Sequence, residues 1–565
     1  MKPILTIDYI VIAIYMLLTV IIGCYFIKFN KTGSDFFRGG NKIPWIIAGL
    51  SSFMSGFSAW TFTGAAGIAY KEGITIIFMY IGNSLAFFVG YFVFAKPWRR
   101  TRISTVMEYL HERYDEPTRQ TFSWLTTIFQ LFMGGSILYG LGVFLSSVCG
   151  FPLIWTIIIA GLIILIYSFL GGLWAVMITD FIQGVILIPF TIVMFIVALN
   201  RIGGISSFMS SLPPFALTLG HSEKSMFGYI ICFAIVNLFA YNTSVNAQRY
   251  FSVDNERSAK KVALFTGSLY ILGTFIWFIP PMAMRILYPN IAQIFPNLPN
   301  PEEASYALAS LTLLPNGLIG IMLAAMFSAS MSSLSSFYNM HSAILSKDIF
   351  QTIFKIENDE NKLLILGRIM TLVVGIIVPV IAIIMVVNKQ SVFETMLTFN
   401  TIISLAYGIP ALLGLVEKRA PNYSGLLSFS VALILGVLSS FIFKWDFVTR
   451  VSVIVPAGIL VYYLCILFKE KPSFADKRKL FFKKLDTPVD VNMEVGEKGN
   501  VEFFVFRFLS RVTVFISIVC LILSFSIPLS ENKTFLMYIA ITLFLGILFK
   551  IKSMKSAPEK LYTKK

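Results

Sequence analysis

The sequence predicts an all-α polytopic membrane protein, and three observations predict it. Of 565 residues, 57% are hydrophobic and only 13% are charged, about half the charged share of a soluble domain. The mean hydropathy is +0.79. The apolar residues fall in runs close to the roughly 20 residues a helix needs to cross a bilayer. A soluble core cannot hide that much apolar surface, so lipid must be the solvent for much of it.

Fifteen such runs follow in order: 9–27, 45–69, 74–95, 122–148, 153–170, 174–199, 226–248, 262–287, 317–346, 363–387, 392–416, 424–443, 451–468, 512–527 and 534–549. The first is read as a retained spanning helix. Ile21-Ile22-Gly23-Cys24 mimics a lipoprotein cleavage box, but the basic cluster follows the run, whereas a signal peptide needs it in front. The last two runs are the shortest.

The loops give the orientation. Lys28, Lys31, Arg38 and Lys42 follow the first run. Lys96, Arg99, Arg100, Arg102, Arg113 and Arg119 follow the third, and Arg249, Arg257, Lys260 and Lys261 follow the seventh. Lys347, Lys355 and Lys362 follow the ninth; the polar stretch after the thirteenth and the tail are Lys-rich. The alternate loops are poor in both residues, and 288–306 contains neither. Basic loops stay in the cytoplasm, so the N-terminus is expected outside and the C-terminus inside. The net charge of +16 serves topology in a protein of the cell membrane, and no nucleic-acid partner is expected. The 469–506 segment reads as a cytoplasmic linker with one surface helix.

No enzymatic constellation is present. The five cysteines include no CxxC pair, and the three histidines are scattered, so neither a disulfide framework nor a zinc site is expected.

Two runs look interrupted. The second holds Ser51, Ser52, Ser55, Gly56, Ser58 and Thr61; the seventh holds Asn237, Tyr241, Asn242, Thr243, Ser244 and Asn246. Small hydroxyls, amides and glycine in mid-membrane are costly unless they face protein or a cavity. They also favour unwinding, which frees carbonyls. The breaks stand five helices apart, the spacing of inverted five-helix repeats with a midplane site. The plainer reading is that small residues let helices pack closely.

The ninth run carries a hydroxyl stripe. Ser328, Ala329, Ser332, Ser333, Ser335 and Ser336 share one face at 100° per residue, and Asn339 continues it. Serines can bond back to their own helix, yet a stripe this dense suits a wet or ion-lined face. Sodium, a hard cation, takes oxygen ligands. Asp180 is the notable intramembrane acid, about 10 Å inward from the cytoplasmic end of its run at 1.5 Å per residue. A carboxylate there needs water or a cation. Glu394 reads as interfacial, and His341 falls opposite the stripe.

Four segments in order resemble the sodium:solute symporter family: Phe36-Phe-Arg-Gly-Gly-Asn-Lys-Ile-Pro-Trp45 running into 49–73, Gly171-Gly-Leu-Trp-Ala-Val-Met-Ile-Thr-Asp-Phe-Ile-Gln-Gly184, Gln248-Arg249-Tyr250, and 323–348. The resemblance covers 9 to about 468. It implies a ten-helix inverted-repeat core, runs two to eleven, working by alternating access, with Na+ as the coupled ion. By position, the common sodium site falls on Met54, Phe57, Ala329, Ser332 and Ser333. A second sodium, held in some members, falls on Asp180, Ser335 and Ser336 and shares Ser332. The solute positions fall on Ser58, Trp60 and Thr61, with Asn83, Gln130 and Tyr241 as neighbours. Trp60 matches the proline transporters, but those carry an aspartate where this chain has Gly56. The arginine of sialic acid transporters is absent from the third core helix, where Gln130 is the polar residue.

The expected division is an N-terminal helix and loop (1–42), two five-helix repeats (43–199 and 200–416), two added helices (417–468), the linker (469–506) and a helix pair with a basic tail (507–565). The expected function is sodium-coupled symport of a small organic solute. A solute sensor or a passive channel on the same fold is the alternative.

Overall fold

A computed structural model describes residues 3–27, 41–103, 105–170, 173–217, 226–354, 360–495, 501–525 and 532–556. Lys28, Lys31, Arg38, the 36–40 part of the first family segment, Gly171, Gly172, Lys355 and the tail beyond 556 lie outside the described residues. No strand occurs among the described residues. Among the described residues, eleven helices are long and apolar enough to cross a membrane, and four shorter apolar helices coincide with the remaining predicted runs. The ends are named outer and inner after the charge pattern of the loops.

The spans are α1 (Thr6–Ile27), α2a (Trp45–Ser55), α2b (Ala59–Phe62, then Gly64–Glu72), α3 (Thr75–Val89, continued by Gly90–Phe94 and Ala95–Arg100), α4 (Glu116–Cys149) and α5 (Leu153–Leu170). Then come α6 (Leu173–Ile202), α7a (Met226–Tyr241), α7b (Ser244–Phe251), α8 (Glu256–Leu287), α9 (Leu318–Ala343), α10 (Glu360–Val387) and α11 (Val392–Val416). The rest are α12 (Tyr423–Val437), α13 (Phe447–Leu464), α14 (Val501–Ser524) and α15 (Asn532–Lys555). The protein is thus a polytopic membrane protein with α2 to α11 as its ten-helix core.

Both predicted breaks are present, and each has a local cause. In α2 the helix stops at Ser55, and Ser58 restarts it by accepting from the Trp60 N–H at 3.3 Å. A side chain at Gly56 would force the two tyrosines aside, because a Cβ there would lie 2.4 Å from the Tyr270 hydroxyl and 2.8 Å from the Tyr241 ring. In α7 the Asn242 amide donates to Ala86 O at 2.8 Å and Leu238 O at 2.9 Å. Trp98 Nε1 donates to Asn242 O at 2.8 Å. The unwound backbone is thereby satisfied inside protein, as a break at membrane depth requires.

The span between Leu318 and Phe354 is enclosed by protein over its most apolar stretch. Its outer end is capped by α1: the Asp8 carboxylate accepts from the N–H groups of Gly317 at 2.5 Å and Gly320 at 2.8 Å. That cap binds the N-terminal helix to the core at a point where four helix N–H groups lack internal partners.

The structure differs from the sequence reading in two places. Helix α14 begins at Val501, well before the predicted 512. Glu502 falls in the expected linker, and Arg507 and Arg511 lie between the linker and the predicted run, but all three extend the helix past its apolar part, and Arg507 lies over the Phe503 ring at 5.4 Å. Secondly, Arg99, Arg113 and Arg249, counted as solvated loop charges, are buried. Arg99 donates to Val253 O at 2.7 Å and Asp254 O at 2.8 Å; Arg113 donates to Gly414 O at 2.9 Å and Ala420 O at 3.0 Å. A guanidinium can satisfy several loop carbonyls at once, so these residues fasten the inner loops. The linker does hold a surface helix, Pro472–Asp486, tied to the core by Lys484 and Glu112 at 2.7 Å.

Candidate ion and solute site

The break in α2 faces the hydroxyl stripe of α9. Ser333 Oγ lies 3.4 Å from Met54 O, 3.4 Å from Ser55 O, 3.2 Å from Phe57 O and 3.2 Å from Ala329 O. Met54, Phe57 and Ala329 have no exposed surface. The first three carbonyls gather here because the helix is interrupted at Gly56, and Met54 O also accepts from the Phe57 N–H at 3.2 Å. Four of the five residues read as the common sodium site therefore converge. Ser55, absent from that reading, adds an oxygen.

Ser332 points elsewhere. Its hydroxyl donates to Asp180 Oδ1. Ser51 Oγ donates to Asp180 Oδ2 at 2.6 Å. The cation beside this acid is Arg249 of α7b, whose Nη2 stands 3.5 Å from Asp180 Oδ2. The guanidinium also reaches Ser51 Oγ at 3.1 Å, Ser55 Oγ at 3.0 Å and Ser336 Oγ at 3.3 Å. Ser335 donates to Ser332 O at 3.1 Å along its own helix. Of the residues read as a second sodium site, Asp180 and Ser332 meet, Ser336 meets Arg249, and Ser335 does not reach the acid. Arg249 lies in one of the family segments, and its position at a helix end also fits a topological charge. Its place just beyond the second break was the available signal.

A cavity of about 210 Å³ lies between the two breaks. Ser58, Trp60, Asn83, Gln130 and Tyr241, all read as solute positions, line it. Thr61 is not in the lining; its hydroxyl accepts from Tyr80 at 3.4 Å. Ser333 belongs to the lining as well, so the carbonyl cluster and the cavity share a residue. The cavity also takes Asn237 and Asn246 from α7 and Asn400 and Tyr407 from α11. In the sequence the α7 amides mark the break, and none of the expected solute positions falls on α11. An amide in the middle of an apolar run is costly enough to have flagged Asn400.

Stacked rings lie toward the outer end of the cavity. The Trp60 indole is nearly parallel to Tyr80 and Phe393, with centroids 6.0 and 5.6 Å away. Above it, the outer loop brings Glu303, whose carboxylate accepts from Ser391 Oγ at 2.9 Å and Val392 N–H at 3.0 Å.

A sequence profile described as "Sodium:solute symporter family" matches residues 36–433. The chain belongs to the sodium:solute symporter family. It shares that family with the sodium/sialic acid symporter SiaT of Proteus mirabilis, 27% identical over 441 residues, which span 76% of this chain and 88% of SiaT. The sodium/glucose cotransporter of Vibrio parahaemolyticus is 26% identical over 450 residues, 74% of this chain and 82% of its own. Among solved structures, a Na+-coupled sialic acid symporter in a substrate-bound outward-open state superposes with a TM-score of 0.71 at 24% identity. The match covers 82% of this chain and 98% of that one. MHP1, a nucleobase-cation-symport-1 family transporter, superposes with a TM-score of 0.53 at 11% identity, over 80% and 99% of the two chains. At these identities the structural likeness carries the fold, the ten-helix core described above. This family member is a membrane transporter, not an enzyme. Its relatives carry different solutes, so kinship alone does not select one.

Proposed function

We propose that this protein moves a small organic solute across the cell membrane by alternating access, coupled to sodium entry. One observation carries the reading. Carbonyls of the α2 break and of α9 surround the Ser333 hydroxyl in the wall of the solute cavity. A dehydrated sodium ion there would be held by Met54, Phe57, Ala329, Ser333 and the nearby Ser332, and each of the two bound species would favour the other. That shared wall is the physical basis of coupling, since a ligand shifts an equilibrium only by differential binding.

The proposal extends to a second sodium at Asp180, Ser335 and Ser336, sharing Ser332. Arg249 is its competitor for the carboxylate, so ion entry would have to displace the guanidinium. The two repeats are taken as 43–199 and 200–416, with the N-terminus outside and the C-terminus cytoplasmic. Uptake by proteoliposomes under an imposed sodium gradient tests the coupling. Accumulation that follows the gradient supports it. Equal uptake with and without sodium points to a channel, and no uptake beside sodium-dependent solute binding points to a sensor.

A further inference from the structure

We propose that the solute is electrically neutral, rich in hydroxyl groups and of single-ring size, the chemistry of a monosaccharide or cyclic polyol. The inference rests on the symport reading above and deepens it.

The first observation is the absence of ionisable acids and bases from the lining. Among the described residues, no Asp, Glu, Lys, Arg or His borders the cavity. Burying a carboxylate or an ammonium group without an opposite charge is costly. A neighbouring fixed cation, Arg249, which donates to the lining residue Ser55 at 3.0 Å, is already committed to Asp180. The N-terminus of α2b is likewise occupied, because Ser58 accepts from the Trp60 N–H. The one mobile positive charge within reach would be the sodium itself. A carboxylate solute leaning on that ion is therefore the direct rival.

The second observation is what replaces the charges. Five amides line the cavity: Asn83, Gln130, Asn237, Asn246 and Asn400. An amide offers a donor and an acceptor side by side, and a hydroxyl is likewise both. A ring of amides therefore suits a polyhydroxylated ligand better than one with a single charged end. Two of these groups have unmet capacity. Asn83 Oδ1 and Asn237 Nδ2 are buried without a protein partner, in residues only 2% and 4% exposed. Buried polar atoms of this kind call for a ligand or ordered water. Met133, Ile137 and Phe233 supply apolar surface between the amides, which matches the C–H faces of a sugar ring. A volume of about 210 Å³ holds one such ring and leaves no room for two.

The test uses the full-length protein in proteoliposomes with an inward sodium gradient. Uptake is compared for glucose, galactose, myo-inositol and mannitol, for proline as a zwitterion, and for pyruvate and N-acetylneuraminate as carboxylates. Sodium-dependent stabilisation of the purified protein by each compound is read in parallel. The expected result is sodium-dependent uptake of at least one neutral polyhydroxy compound and none of the charged ones. Asn83→Leu and Gln130→Leu should each raise its half-saturation concentration about tenfold. Sodium-driven uptake of proline or a carboxylate in place of the neutral compounds overturns the inference and leaves symport standing. So does stabilisation by none of the four neutral compounds while sodium alone stabilises. Uptake of a polyol that ignores sodium supports the solute class and defeats the coupling.

Discussion

Arg249 and Asp180 meet inside the core, Nη2 3.5 Å from Oδ2, with no exposed surface on either side chain. They join α7b to α6, and Ser51, Ser55, Ser332 and Ser336 supply further hydrogen bonds around them. A buried pair of this kind adds little net stability, but stranding one partner costs about 3–5 kcal/mol.

That asymmetry gives the first prediction. Asp180→Asn leaves the guanidinium unpaired, and Arg249→Gln leaves the carboxylate unpaired. Each should lower the melting temperature clearly. The double variant should recover much of the loss, since neither charge is then stranded. If Asp180 also binds the second sodium, Asp180→Asn flattens the sodium-activation curve and halves the charge moved per neutral solute. Each charge is worth about 2.3 kcal/mol per 100 mV, so voltage dependence of uptake reads the difference. Unchanged stoichiometry in that variant would reduce Asp180 to a structural and steering role.

Ser333 and Ser332 should separate cleanly. Ser333→Ala removes the hydroxyl at the centre of the carbonyl cluster, a loss on the order of 1–3 kcal/mol. Sodium affinity should fall roughly tenfold or more, measured by sodium titration of uptake at fixed solute. Ser332→Ala acts first on Asp180, which loses a donor. Its larger effect should be on stability and on the second ion, with first-site affinity less affected than in Ser333→Ala. Equal sodium curves for wild type and Ser333→Ala would dismiss the first site.

The orientation is open to a labelling experiment. Gln293 and Asn297 are exposed in the loop between α8 and α9, and Lys479 is exposed on the surface helix after α13. In intact cells, a membrane-impermeant maleimide should react with Gln293→Cys and Asn297→Cys but not with Lys479→Cys. The opposite pattern would invert the topology.

Much of this arrangement was legible in the sequence, for identifiable reasons. Gly56 and Ser58 signalled a break because such residues are costly in mid-membrane without a purpose, and the structure spends them on a helix restart. The same cost marked the Asn237–Asn246 region and Asp180. Ser333 was legible because a helical period places it on the stripe. Arg249 was misread because a basic residue near a helix end obeys the loop-charge rule whether or not it is solvated; only tertiary packing decides. Tyr407 was missed because a residue on an apolar helix gives no sign of which face meets a cavity, whereas the amide of Asn400 carried the same mid-membrane cost that marked the α7 region. Thr61 has the right distance along the chain, but its side chain turns toward Tyr80.

Glu303 gives a pH prediction whose sign follows from its burial. It sits in the outer loop with 3% exposure and receives Ser391 and the first N–H groups of α11. Burial pushes its carboxyl up to about 7 from an ordinary 4.5, against the lowering effect of those donors, and neighbouring Glu302 adds to the rise. Glu302 itself pairs with Lys71. A closed outer end therefore binds the Glu303 proton more tightly than an open, hydrated one. Its contribution to closure is fully present below pH 4.5 and is lost as pH rises through about 7. The difference amounts to about 3 kcal/mol, enough to shift a balanced equilibrium strongly. Raising the pH across this window should favour the outward-open form, read as faster labelling of a cysteine placed at Trp60's neighbour Phe393. Glu303→Gln keeps the site uncharged and should flatten that pH profile near its acid limit. A profile of unchanged steepness in Glu303→Gln would assign the pH response to another group.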